Sequence, residues 1–70
     1  MNKNLTPSTA LLSRVRAGLI ENDTNLHKWC SEHGVLYANA RQALIGAWNG
    51  PKGTALRIRL IEAAGLQAVE

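Results

Sequence analysis

The chain has 70 residues, 46% of them hydrophobic, and carries a formal net charge of +3. That length allows one domain, and the apolar content excludes intrinsic disorder. The lone cysteine, Cys30, excludes a disulfide scaffold; no apolar run approaches the ~18 residues of a membrane span, and the N-terminus lacks a signal peptide's apolar core.

Residues 1–7 read as a flexible leader and residues 8–70 as a single domain. Thr6-Pro7 or Ser8-Thr9 can open the first helix, since Thr and Ser cap N-termini and Pro is tolerated in the first turn. Leu11, Leu12, Val15, Gly18 and Leu19 then recur at three and four residues as one apolar stripe, with Arg16 at its border. The turn residues Asn22 to Asn25 stop this helix, and Thr24 or Asn25 caps the next. In the second helix Leu26, Trp29, Cys30 and His33 share one arc of the wheel. His27, Lys28, Ser31 and Glu32 take the other, and Gly34 ends the helix because it accepts a left-handed backbone.

A third helix is expected over Tyr37 to Ala47, with Ala40, Ala43, Leu44 and Ala47 facing inward and Ala38, Gln42 and Ile45 outward. Asn49 to Gly53 reads as a loop, after which Thr54 caps a fourth helix, Ala55 to Ala64. That helix buries Leu56, Leu60, Ala63 and Ala64 with Ile58 and Ile61 beside them, and Gly65-Leu66 is its stop signal. No period-two strand pattern occurs, so the expected class is all-α, a compact domain of four to five short helices. So short a chain buries a smaller share of its surface than a larger one, and dimerisation would supplement its core.

Charge is unevenly spread. Between Leu36 and Ile61 lie Arg41, Lys52, Arg57 and Arg59 and no acid; Glu21, Asp23, Glu32, Glu62 and Glu70 all fall outside that stretch. Such a distribution favours an anionic partner.

Asn25 to Gly46 resembles the helix-turn-helix of the lambda repressor/Cro superfamily, and the whole chain resembles its short phage- and prophage-encoded members. The resemblance covers Leu11 to Leu66 and rests on Cys30 as the small residue within the first motif helix, Trp29 before it, Gly34 and Val35 at the turn, Ala40 inside the second helix, and the later pair Ala43 and Leu44. The ending at Gly46, the Gly-rich loop and Ala63 to Leu66 fit the short Mu-like prophage members. Four positions depart from the pattern: Leu36 stands where Ser, Thr or Asn usually caps the second motif helix, His33 replaces an aliphatic residue, and Ala40 and Ala43 are small.

The resemblance implies a lambda-repressor-like domain that binds double-stranded DNA in a sequence-specific manner. The helix from about Tyr37 to Ala47 would lie in the major groove, and the protein would act as a homodimeric transcriptional repressor in the cytoplasm, at the nucleoid. Carried over as base-contacting are Tyr37, Ala38, Arg41 and Gln42, and Ile45 joins them at the far end of the helix: Arg41 suits guanine, Gln42 adenine, and Ala38 or Ile45 a thymine methyl. Asn25, His27, Lys28, Asn39 and Lys52 are the expected phosphate contacts, which position without reading sequence. The end of the fourth helix with Leu66, Ala68 and Val69 is the expected dimer surface.

Alternatives are an architectural or recombination-accessory DNA-binding factor, or a protein-interaction module such as an antitoxin. No catalytic residue, metal, cofactor, membrane or small-molecule substrate is expected. His27, Cys30 and His33 spread over about a third of the helix circumference with no second ligand pair, so a zinc site does not follow. A Cys–His nucleophile lacks a third orienting group.

Overall fold

A computed structural model describes residues 6–66. They form a compact all-α domain of four helices, α1 (Thr9–Glu21), α2 (Leu26–His33), α3 (Tyr37–Ile45) and α4 (Pro51–Ala63), with no strand among the described residues. Most of the expected leader, residues 1–5, lies outside the described residues, as do Ala68 and Val69 of the expected dimer surface. Pro7 is half-buried over Gly46, and the backbone N–H of Ser8 donates to the Leu44 carbonyl at 2.9 Å, which ties the start of α1 to α3.

Side-chain caps open α1 and α2. The Ser8 hydroxyl accepts from the Leu11 N–H at 3.1 Å, and Asn25 Oδ1 accepts from the Lys28 N–H at 2.8 Å, each supplying a partner for an otherwise unpaired amide. Thr24, the other candidate for the second cap, instead has a buried hydroxyl without a partner. All four helices are followed by a left-handed residue: Asp23 (φ 64°), Gly34 (φ 68°), Gly46 (φ 96°) and Gly65 (φ 78°). After α4, Leu66 N–H donates to Ile61 O at 3.0 Å and Gly65 N–H to Glu62 O at 3.1 Å, while the Leu66 side chain folds onto the core.

The interior is aliphatic. Leu11, Val15, Leu19, Leu44 and Leu60 are fully enclosed, each worth roughly 1.5–3 kcal/mol of burial. Leu12, Leu26, Trp29, Cys30, Ala40, Ala43, Leu56 and Ala64 complete the core around them, and α3 packs against all three other helices. The expected stripe of α1 is the buried one without exception. Gly18 within it lets the end of α4 approach: a Cβ there would stand 2.9 Å from Ala64 Cβ, and the same contact brings Asn22 Nδ2 within 3.1 Å of the Ala63 carbonyl.

Four local expectations need correction. α3 ends at Ile45 and not Ala47, because Gly46 turns left-handed and the N–H groups of Gly46 and Ala47 both close on the Gln42 carbonyl, at 3.1 and 2.9 Å; Ala47 is exposed. α4 begins at Pro51, so Lys52, Gly53 and Thr54 are helical and not loop or cap. Proline suits a first helical position, where its fixed φ matches the helix and its missing N–H costs nothing. Gly53 serves close packing there, since an added Cβ would lie 2.8 Å from the Trp48 carbonyl carbon. His33 is exposed, its ring stacked on Trp29 at 4.1 Å with Nδ1 2.8 Å from the Trp29 carbonyl oxygen, and Ile58 points outward.

Candidate nucleic-acid interface

α3 follows α2 after a three-residue turn, Gly34-Val35-Leu36, and buries Ala40, Ala43 and Leu44. At 100° per residue, Ala38, Arg41, Gln42 and Ile45 then occupy an arc of about 100° on the opposite side, while Tyr37 and Asn39 project to its two flanks. Ala38, Arg41 and Gln42 are exposed along this ridge. Ile45 is half-buried and packs against the core, so only part of its side chain is available outward.

Each flank opens into a groove. Tyr37 lines the first, about 300 Å³, with Arg16 and Ile20 of α1 and Asn25, Leu26 and His27 at the start of α2. The His27 ring lies flat on the Tyr37 ring, with centroids 3.9 Å apart and planes 1° from parallel. Tyr37 thus packs its inner edge on the core and its outer face on His27. Asn25 also caps α2, and Lys28 is exposed on the same first turn.

Asn39 lines the second groove, about 530 Å³, between the α2–α3 turn and α4. Its apolar walls are Val35, Leu36, Trp48, Ala55 and Leu56, and its cations are Lys52 and Arg59. Arg59 also sits over the Trp29 ring, 5.3 Å from its centroid, which holds the guanidinium at the groove's edge. No acidic residue lines either groove. Two of the three exposed large apolar residues, Ile20 (63%) and Leu36 (69%), stand at these grooves and not at random on the surface.

Of the ten expected site residues, Ala38, Arg41, Gln42 and Ile45 lie on the ridge and Tyr37, Asn25, His27, Asn39 and Lys52 line the two grooves, while Lys28 is exposed on α2 and lines neither. Arg16, Arg59, Trp48 and Leu36 join them without having been singled out from sequence as contacts. Arg57 does not: its Nη1 donates to the Ala43 carbonyl at 2.9 Å and to Asn49 Oδ1 at 3.0 Å, so it closes the end of α3 against α4. A cation at the end of a helix also complements the helix dipole. Burial of Cys30 pushes its thiol pKa up, so the group stays neutral at ordinary pH. Among the described residues no three His, Cys, Asp or Glu side chains gather as a metal site, and no helix is long and apolar enough to cross a membrane. Compared with known proteins, the chain matches no family model, no curated protein and no solved structure.

Proposed function

We propose that this chain binds double-stranded DNA in a sequence-specific manner, as a homodimeric transcriptional repressor of the phage or prophage kind, through a helix-turn-helix made of α2 and α3. One observation carries the reading: an exposed polar ridge on α3 lies between two grooves, each lined by basic or ring side chains and by no acid. A ridge of that form suits a major groove, whose base edges present a distinct donor and acceptor pattern for each pair. The grooves beside it suit the two phosphate backbones that border such a groove. Arg41 and Gln42 read bases, Ala38 and the outer part of Ile45 meet thymine methyls, and Tyr37 reaches in from the flank. Asn25, His27 and Lys28 contact one strand, and Asn39 and Lys52 the other. Lys52 keeps its expected role from a new place, the first turn of α4.

The resemblance to the lambda repressor/Cro superfamily supports the same reading, and the connection of α2 to α3 by three residues is compatible with it. Dimer formation would place two α3 helices in successive major grooves about one turn of DNA apart. Competition binding tests the assignment. Arg41→Ala and Gln42→Ala should each lower preference for a selected duplex over random DNA by about 1–3 kcal/mol, the worth of a bidentate pair with a base. Lys52→Ala should weaken both duplexes alike and flatten the salt dependence by about one charge. An Arg41→Ala protein with undiminished preference would remove the ridge from the reading.

A further inference from the structure

Leu36 is the most exposed large hydrophobic residue among those described, at 69%, and it stands at the leading end of α3. It occupies the cap position and makes no side-chain cap hydrogen bond, with backbone angles (φ −72°, ψ 134°) that any capping residue could adopt. Ser, Thr, Asp or Asn there would give α3 an acceptor for its first amides, as Ser8 and Asn25 do for α1 and α2. The fold therefore gives up a cap and exposes an isobutyl group in the same place. Neither choice stabilises the free domain.

The surroundings indicate what covers it. Leu36 forms the lip of the 530 Å³ groove, beside Asn39, with Lys52 and Arg59 and no acid along the walls. The occupant is thus an anion that also carries apolar surface at the end of α3. On the reading proposed above, which this inference rests on, that occupant is a DNA strand entered by α3 from the major-groove side. The apolar group that base pairs present there is the 5-methyl of thymine.

We propose that Leu36 is a specificity-determining residue that selects thymine through its methyl group. It acts by contact alone: the isobutyl group covers the methyl, water leaves both, and a polar base edge in that place would be desolvated without a partner.

The test begins with selection of bound fragments from a random duplex library by the full chain. Each thymine of the resulting consensus is then replaced singly by uracil, which deletes only the methyl. One thymine per half-site, besides any met by Ala38 or Ile45, should show about a fourfold loss of affinity that depends on Leu36, the transfer value of one buried carbon. At that thymine Leu36→Ser should bind the thymine and uracil duplexes equally, while any other uracil penalty stays as in the parent. The same variant should melt higher than the parent, by about 4–8 °C, because serine restores the cap. That combination separates a reading role from a packing role, since loss of a packing residue would lower the melting temperature. A Leu36→Ser protein that keeps the parent's uracil penalty at every thymine overturns this proposal alone, and a consensus whose thymines all tolerate uracil overturns it together with the methyl contacts of Ala38 and Ile45. A library that yields no consensus overturns it together with the assignment of the α3 ridge.

Discussion

Replacing Gly53 by alanine sets two physical terms against each other. Gly53 lies in the first turn of α4, where alanine is favoured over glycine by ~1 kcal/mol on helix propensity alone. A loop residue without close neighbours would likewise gain from the smaller entropy of its unfolded chain. The packing term has the opposite sign. A Cβ at Gly53 would meet the Trp48 backbone, 2.8 Å from its carbonyl carbon and 2.9 Å from Cγ of its ring, so the segment between α3 and α4 must move. Overpacking costs ~1–3 kcal/mol, and the upper end applies because the obstacle is main chain and not a pliable side chain. The net is a loss of about 2 kcal/mol. For a domain of this size it should appear as a fall of roughly 8–16 °C in melting temperature, followed by far-UV circular dichroism. Gly53→Ser should behave in the same way. A Gly53→Ala protein that melts at or above the parent would refute the packing argument and restore Gly53 to a flexible loop.

Asp23 is the one non-glycine residue with positive φ among those described, so Asp23→Gly should raise stability by about 0.5–1 kcal/mol in urea denaturation. Arg57→Met keeps the aliphatic stem but removes the hydrogen bonds to Ala43 and Asn49; it should cost ~1.5–3 kcal/mol of stability while preference between selected and random DNA stays as in the parent. Cys30 has its folded-state pKa raised by burial, so the stability it contributes is complete below the ordinary thiol value of about 8.5 and declines as pH rises from there toward the elevated folded value. The parent should therefore lose stability above that pH more steeply than Cys30→Ala, measured as urea midpoints across the alkaline range.

The sequence discloses most where structure is local. The α1 stripe from Leu11 to Leu19, the stops at Gly34 and Gly65, and the inner trio Ala40, Ala43 and Leu44 follow from periodicity and backbone freedom, and each lies where its pattern puts it. The start of α4 was hidden because Gly50-Pro51-Lys52-Gly53 has the composition of a loop. Pro51 opens a helix as readily as it breaks one, and the need for Gly53 arises from Trp48, a contact no local rule contains. His33 shares the apolar arc of α2, yet it ends a helix of only eight residues, where its ring lies on Trp29 at the surface.

The candidate site divides along the same line. Its ridge is a wheel property of a single helix and could be read directly. Its flanks are tertiary: Arg16 comes from α1 and Arg59 from α4, and only the packing of those helices brings them beside Tyr37 and Asn39. The one hint in the sequence was the absence of acids between Leu36 and Ile61.

The claim that the α3 ridge is the DNA-facing surface is tested most directly by amide chemical shifts. The labelled protein would be titrated with a duplex selected from a random library, on which base and phosphate contacts are both made. Shifts should concentrate at Ala38, Arg41 and Gln42 and at the flanking residues Arg16, His27, Lys52 and Arg59. Shifts gathered instead around Ile58 and Glu62 on the outer side of α4, with the ridge unmoved, would contradict the assignment.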